Sequence, residues 1–203
     1  MKIICVGRNY AKHIEELENE VPDEPVIFLK PDSARLTGSM PFFYPDYSND
    51  IHYEAEIVLK VGRNGKHIQE RFAHDYISEV TIGIDLTARD VQSRLKAKGL
   101  PWELAKGFDY SAVVGEFIPF SEIDDIQNQD FSLMKNGELV QEGNTRMMLF
   151  PIARLIAFIS KFFILKQGDL IFTGTPAGVG PIAIEDRYEG FIGNKRLLRL
   201  KVK

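Results

Sequence analysis

One short segment carries two acidic residues at strand spacing. Residues 51–61 alternate between apolar and mostly polar positions, and Glu54 and Glu56 lie on the polar side. Because successive side chains of a strand point to opposite faces, the two carboxylates share one face, with Cα atoms about 6.6 Å apart. Asp85 ends a second apolar run, residues 80–84, where an acid at the edge of a buried strand needs a partner or a metal. Three hard oxygen ligands suit Mg²⁺ or Mn²⁺ better than zinc.

The spacing also permits an ordinary interpretation of these acids. An amphipathic strand with its polar face in water carries two glutamates at little cost, and core strands often end in aspartate. The pattern by itself leaves the metal site and the wet strand face both open.

A second candidate group lies in a helix predicted over residues 11–20. His13 and Glu16 are three residues apart, which makes them neighbours on a helix. A carboxylate beside an imidazole raises its basicity, as a water-activating general base requires near neutral pH. The alternative is a solvated pair that contributes about 0.2–0.5 kcal/mol. Six acids and few apolar residues between 11 and 24 predict a weakly held segment, which we expect to close over a ligand as a lid.

Four further polar residues lie where they could contact an anion. Arg89 and Gln92 are neighbours on a predicted helix, Lys106 is flanked by apolar residues, and Thr175 belongs to a glycine-rich loop over residues 174–180. Such a loop can offer backbone N–H groups and a hydroxyl to a carboxylate. It lacks the sequence of a nucleotide-binding loop. The ordinary alternatives are an exposed helix face, a snorkelling lysine and a tight turn.

Composition restricts the class of protein. The chain has 203 residues, 44% hydrophobic and 27% charged, with a formal charge of −4, which is typical of a globular protein and argues against nucleic acid or an anionic membrane as the principal partner. A single cysteine, Cys5, excludes an intramolecular disulfide and a zinc knuckle. No signal-peptide core or membrane-spanning stretch is evident, so we expect a cytoplasmic location.

The elements that must position these residues are mostly strands. Turn residues and β-branched or aromatic runs predict about eight strands, three helices and two tight hairpin turns, at residues 62–65 and at Asn136-Gly137. The strands are predicted over residues 2–6, 26–30, 51–61, 80–86, 112–118, 131–141, 170–173 and 196–201, and the helices over residues 11–20, 89–98 and 151–163. No repeat or linker divides the chain, so we expect a single domain over residues 1–203. Strands that do not alternate strictly with helices favour a mixed, largely antiparallel α+β fold.

Five motifs, taken in order, resemble those of the fumarylacetoacetate hydrolase family. They are Gly7-Arg8-Asn9-Tyr10-Ala11-Lys12-His13, His52-Tyr53-Glu54-Ala55-Glu56, Asp85-Leu86-Thr87-Ala88-Arg89-Asp90, Lys106, and Gly168-Asp169 with residues 173–180. The chain is most similar to the short acylpyruvase and oxaloacetate decarboxylase branch, because of Gly99-Leu100-Pro101-Trp102 before Lys106 and the motifs at residues 136–139 and 141–143.

The resemblance implies a fold, a cofactor and a set of residue roles. The implied fold is the β-rich α+β fold of the family's C-terminal domain, a β-sandwich roll with short helices, in a homodimer. Mg²⁺, with Mn²⁺ as an alternative, would be bound by Glu54, Glu56 and Asp85. The remaining matches imply His13 and Glu16 as the base pair, Lys106 as the active-site lysine, and Arg89, Gln92 and Thr175 as substrate contacts.

The resemblance also implies the chemistry. We expect an enzyme that acts on small 2-oxo acids and cleaves a C–C bond through a metal-bound enolate, by acylpyruvate hydrolysis, oxaloacetate decarboxylation or both. The alternative enzyme is an isomerase, decarboxylase or hydratase of unsaturated 2-oxo diacids of the 2-hydroxyhepta-2,4-diene-1,7-dioate type. The alternative that is not an enzyme is a dicarboxylate-binding sensor, which would bind oxalate without turning over any 2-oxo acid.

Overall fold

The computed structural model describes residues 1–18, 20–37 and 40–203. Strands dominate the chain, and the helices are short. The strands are β1 (Ile3–Gly7), β2 (Val26–Lys30), β3 (Arg35–Thr37), β4 (Ile51–Tyr53), β5 (Ala55–Val61), β6 (Ile77–Asp85), β7 (Thr87–Ala88), β8 (Ala112–Val114), β9 (Ile118–Pro119), β10 (Asp130–Lys135), β11 (Glu138–Asn144), β12 (Leu170–Phe172), β13 (Gly180–Pro181), β14 (Arg187–Ile192) and β15 (Lys195–Lys201). The α-helices are α1 (Ala11–Glu16), α2 (Arg89–Ala97), α3 (Glu103–Lys106) and α4 (Ile152–Phe162), and 3-10 turns cover Asp32–Ala34, Glu70–Tyr76, Phe120–Glu122, Ile126–Asn128 and Thr145–Met147.

The strands of the described residues form three sheets. The largest has the order β2-β1-β12-β5-β6-β8-β3, with β9 beside β6; the second is β11-β10-β14-β15 and the third β13-β4-β7. Only the β1–β12 and β3–β8 pairings are parallel within the described ranges, and the other strand pairs there are antiparallel. The predicted α+β fold is therefore confirmed.

The prediction of one continuous strand over residues 51–61 is wrong. The chain changes sheets at Glu54: β4 before it pairs with β7 and β13, whereas β5 after it pairs with β6 and β12. Glu54 itself belongs to neither strand, yet its carbonyl accepts a hydrogen bond of 2.8 Å from the Asp85 backbone N–H. The change of sheet thus occurs where the acidic residues meet.

Strand β5 is buried on both faces. Ile57 and Leu59 pack into the main core, while Val58 packs on the opposite face in a smaller cluster that contains Phe172. Gly83 lies opposite Glu56 in the β5–β6 ladder, and a Cβ there would lie 2.7 Å from Val58 Cγ2 and 2.8 Å from Phe172 Cε1. A glycine at this position therefore lets the acidic strand pack closely against its neighbours.

One of the two predicted hairpin turns forms. Asn136 and Gly137 have φ of 53° and 89° between β10 and β11, as a type I′ turn requires. The turn predicted at residues 62–65 is wrong. Strands β5 and β6 do pair, but residues 62–76 connect them, because Gly65 bonds Leu165 instead of closing a tight turn.

The predicted helices are present with one difference in length. Helix α4 buries the apolar residues Ile152, Leu155, Ile156 and Ile159, and α2 covers most of residues 89–98. Helix α1 ends at Glu16, short of the predicted residue 20, and Glu18 has a left-handed φ of 50° that does not continue a helix. Helix α3 and strands β3, β7, β13 and β14 were not predicted, and the strand predicted over residues 112–118 is interrupted between β8 and β9. No helix in residues 1–18, 20–37 or 40–203 is long and apolar enough to cross a membrane.

Candidate active site

A cavity of about 50 Å³ lies where the main sheet meets α1, α2, α3 and the loop after β12. The predicted site residues line it, except Glu16, which contacts His13 instead. The lining side chains are Val6, Arg8, His13, Leu17, Phe28, Glu54, Glu56, Asp85, Arg89, Gln92, Lys96, Trp102, Lys106 and Thr175, together with Gly7.

Three carboxylates lie together at this cavity. Oxygen atoms of Glu54, Glu56 and Asp85 are all within 4.8 Å of one another. The residues are 5%, 2% and 1% exposed, so the wet strand face considered from the sequence is not what forms. The two glutamates flank Ala55 at the start of β5, and Asp85 ends the neighbouring strand β6.

Lys106 is buried among the acids and does not snorkel. Its Nζ donates to Glu54 Oε2 at 2.7 Å, to Asp85 Oδ2 at 2.9 Å and to Thr87 Oγ1 at 2.6 Å. Arg89 donates from Nη2 to the other Glu54 oxygen at 2.6 Å and from Nη1 to Gln92 Oε1 at 2.7 Å. Of the predicted pair on α2, Arg89 therefore contacts the acidic group directly, and Gln92 contacts Arg89.

These contacts separate the protonation behaviour of the acids. Burial raises the pKa of Glu54, but the charges of Lys106 and Arg89 outweigh it, and the pKa falls below its usual value. Burial, followed by the charge of Asp85, holds the pKa of Glu56 well above its usual value, although the Gly174 N–H opposes this. Burial lowers the pKa of Lys106, but the neighbouring acids outweigh this effect and raise it.

Lys30 is a buried cation at the site that sequence reasoning missed. Its Nζ lies 2.7 Å from Asp85 Oδ1 and is 0% exposed. It also donates to the Lys106 carbonyl and, at 2.9 Å, to Ser111 Oγ, so it holds the segment that carries the site lysine. The available signal was a lysine that ends the otherwise apolar run 26–30 immediately before Pro31.

His13 and Glu16 form the predicted pair on α1. His13 Nδ1 lies 3.1 Å from Glu16 Oε2, and the histidine is 7% exposed. The carboxylate favours the tautomer with the proton on Nδ1, which leaves Nε2 able to accept one. The Gly178 N–H donates to Glu16 Oε1 at 3.0 Å, and Ile14 is buried beside the pair. The lid over residues 11–24 includes residue 19, outside the described ranges, and stays a prediction.

The glycine-rich loop binds carboxylates of the protein itself. Gly174, at φ 100°, donates its N–H to Glu56 Oε2 at 2.6 Å, as Gly178 does to Glu16. Thr175 lines the cavity, is 3% exposed and accepts a hydrogen bond of 2.9 Å from Gln141 Nε2. Gln141 was also missed as a site residue. The available signal was the Gln141-Glu142-Gly143 motif, which was used only to assign the branch of the family.

Comparisons with known proteins identify the family. Residues 2–201 match the family model described as fumarylacetoacetate (FAA) hydrolase C-terminal. The chain is 45% identical over 201 residues to oxaloacetate tautomerase FAHD1, mitochondrial, of Mus musculus, covering 99% of this chain and 91% of that protein. It is 46% identical over 182 residues to oxaloacetate decarboxylase, mitochondrial, of Dictyostelium discoideum, covering 89% and 84%.

A solved structure shares both the fold and much of the sequence. Fumarylpyruvate hydrolase from Pseudomonas aeruginosa, in complex with Mn²⁺ and pyruvate, superimposes with a TM-score of 0.93 at 35% identity over 100% of this chain and 89% of that one. The chain belongs to the fumarylacetoacetate hydrolase family. It is an enzyme of that family, and the names of its relatives support 2-oxo acids as the class of compound that it processes.

We predict that Lys30→Met strongly destabilises the protein. The substitution leaves Asp85 without one of its cations and removes the ammonium that donates to the Lys106 carbonyl and to Ser111 Oγ. Removing one partner of a buried ion pair destabilises a protein by about 3–5 kcal/mol. The free energy of unfolding in urea measures this. Lys60→Met, which breaks a half-exposed pair with Glu79, is the matched control and should change it by less than about 1 kcal/mol. Equal effects of the two variants would contradict the role of Lys30.

Proposed function

We propose that the chain is an enzyme that depends on a divalent metal ion, Mg²⁺ or Mn²⁺. Its substrates are small 2-oxo acids, and the bonds that change are those of the carbon atoms near the keto group. One observation carries the proposal: three buried carboxylates share a cavity with a buried lysine and a histidine that is held by a glutamate. These side chains line one cavity or, in the case of the glutamate, contact a residue that does, and together they can bind a metal ion, an anion and a proton.

The residues fit a hard divalent cation. Carboxylate oxygens are the ligands that Mg²⁺ and Mn²⁺ prefer, and one oxygen from each of the three buried acids lies within 4.8 Å of the other two. Glu54, Glu56 and Asp85 would hold the ion, and Lys106 would have to leave part of the space it now occupies. When bound, the ion would supply positive charge that polarises a keto group. The Mn²⁺ and pyruvate in the similar fumarylpyruvate hydrolase support this choice.

The cavity also fits an anionic substrate. Arg89, Gln92 and Thr175 would bind the carboxylate of the 2-oxo acid. Arg8 and Lys96 line the same cavity, where burial and then the charges of Arg8 and Arg89 lower the pKa of Lys96. Several cations around one cavity attract a carboxylate from solution. The apolar lining side chains, Val6, Leu17, Phe28 and Trp102, suit the carbon chain of the substrate.

His13 and Lys106 would carry out the proton and charge chemistry. His13 Nε2 would take a proton, from a water in hydrolysis or from the carbon beside the keto group in tautomerisation, while Glu16 stabilises the imidazolium that results. The ammonium of Lys106 would stabilise negative charge as it develops on the substrate oxygen. Both groups could therefore serve hydrolysis and tautomerisation alike, because negative charge develops on the substrate oxygen in each reaction.

Acylpyruvate hydrolysis and oxaloacetate decarboxylation are the C–C cleavage reactions that we propose. The relatives also favour a second candidate, tautomerisation of oxaloacetate, because the Mus musculus relative is named for it. Incubating the metal-loaded protein with acylpyruvates, oxaloacetate and unsaturated 2-oxo diacids, and identifying products by NMR, separates cleavage from isomerisation. Oxalate-induced stabilisation without turnover of any 2-oxo acid would instead support the sensor.

Three broader expectations stay proposals. We propose a single catalytic domain over residues 1–203 and a homodimer. We also propose a cytoplasmic location, although the Mus musculus and Dictyostelium discoideum relatives are named mitochondrial. Sedimentation and imaging of the tagged full chain test the assembly and the location.

Glu54→Gln should abolish both metal binding and activity. The substitution removes a ligand charge at nearly constant shape, so we expect loss of Mn²⁺ binding by calorimetry and a fall in turnover of more than about 100-fold. Glu79→Gln on the half-exposed end of β6 is the matched control and should retain both. Wild-type activity of Glu54→Gln at ordinary Mg²⁺ concentration would remove the metal assignment.

His13→Ala should impair acylpyruvate hydrolysis by about 10²–10⁴-fold, the usual contribution of a general base. Mn²⁺ binding should be retained, because His13 is not among the proposed ligands. His52→Ala is the control, since His52 bonds Asp50 and does not line the cavity. Initial rates followed by product NMR measure the effect. Unchanged hydrolysis in His13→Ala would mean that the base is another group.

A further inference from the structure

We propose that Gln141 is a positioning residue that sets Thr175 as a hydrogen-bond donor toward the substrate. The inference rests on the proposed function, in which Thr175 binds the substrate carboxylate. Gln141 does not line the cavity that holds the acids, and it acts through the residues that do.

The side chain of Gln141 joins three segments of the chain. It is 2% exposed, and its Oε1 accepts a hydrogen bond of 2.9 Å from the Ala55 N–H. Its Nε2 donates to Thr175 Oγ1 at 2.9 Å and to the Pro176 carbonyl at 3.0 Å. The amide orientation is determined by these partners, because a flipped amide would set its NH₂ against an N–H and its oxygen against a carbonyl.

The side-chain amide of Gln141 takes the place of a strand as the hydrogen-bond partner of the Ala55 N–H. Ala55 pairs with Ile84 on one side, but β12 pairs with β5 only from Val58 to Lys60, so no main-sheet strand among the described residues reaches Ala55 on the other side. Gln141 supplies the missing acceptor for the N–H group that lies between the two acidic residues. The same side chain thereby ties the start of β5 to the loop that carries Thr175.

The direction of the Thr175 hydrogen bond follows from this arrangement. A hydroxyl has one proton to donate, and Thr175 Oγ1 already accepts from an amide that cannot accept in return at that atom. The hydrogen bond that the Thr175 hydroxyl donates among the described residues goes to the Pro176 carbonyl and is long, 3.4 Å, so the charge-assisted bond of a carboxylate would readily replace it. The Thr175 proton is therefore available to a carboxylate in the cavity.

Gln141→Glu tests the direction of the bond with little change of shape. The carboxylate still accepts from the Ala55 N–H, and its second oxygen accepts the Thr175 proton and so withdraws the donor from the substrate. That oxygen also faces the Pro176 carbonyl, to which Gln141 now donates, so the variant needs a check of its folding. For the substrate that the wild type turns over fastest, we expect KM to rise about 10-fold or more while kcat changes less. The dissociation constant of oxalate, measured with Mn²⁺ present, should rise by a similar factor.

Two comparisons distinguish positioning from general damage. In a Thr175→Val background the Gln141→Glu substitution should add little to KM, because the hydroxyl that it acts on is gone. Gln127→Glu is the matched control: Gln127 also bridges two backbone groups, the Thr145 carbonyl and the Ile152 N–H, and none of these three residues lines the cavity. It should leave KM and oxalate binding unchanged.

If Gln141→Glu fails to fold in thermal unfolding, Gln141→Met replaces it. Methionine has a similar volume and adds no charge, but it removes both the N–H donor and the acceptor of the Ala55 N–H. The part of its effect on KM that acts through Thr175 should likewise disappear in the Thr175→Val background. An unchanged KM in the folded Gln141 variant, or an equal increase with and without the Thr175 hydroxyl, would overturn the inference. A wild type without turnover of any 2-oxo acid would instead contradict the proposed function.

Discussion

Three buried carboxylates lie within 4.8 Å of one another, and their mutual repulsion sets a requirement that the surrounding structure has to meet. Burying an unpaired charge is among the most unfavourable changes in folding. The protein meets the requirement with three buried or half-buried cations, Lys30, Lys106 and Arg89, and with the Gly174 N–H. The acids and their partners form one unit, so losing any partner exposes the others to an uncompensated charge.

The architecture explains how residues so distant in sequence meet. The chain passes from the small sheet to the main sheet at Glu54, and β6 ends at Asp85 beside it. Helices α2 and α3 follow directly and bring Arg89 and Lys106 to the same point. The loop after β12 covers the group from the other side and supplies Gly174 and Thr175. Two of the site acids thus lie where strands are interrupted or end, Glu54 between β4 and β5 and Asp85 at the end of β6.

Much of the site follows from local spacing, and the rest depends on contacts between distant segments. The period of a strand predicted that Glu54 and Glu56 share a face, and helical spacing predicted the His13–Glu16 and Arg89–Gln92 pairs, because those signals depend on neighbours in sequence. Lys30 and Gln141 escaped notice because their partners are remote: Ala55, which Gln141 binds, is 86 residues away. The continuous strand 51–61 and the turn at residues 62–65 were wrong for the same reason. Pairing with other strands, which local pattern does not report, decides where a strand breaks.

The central claim, that the three acids form a binding site for one divalent ion, is tested most directly by diffraction. Crystals of the wild type soaked in Mn²⁺ should give an anomalous scattering peak bonded to oxygens of Glu54, Glu56 and Asp85, with the Lys106 ammonium displaced from at least one of its two carboxylates. A peak at other residues, or no peak while Lys106 still bridges Glu54 and Asp85, would contradict the account.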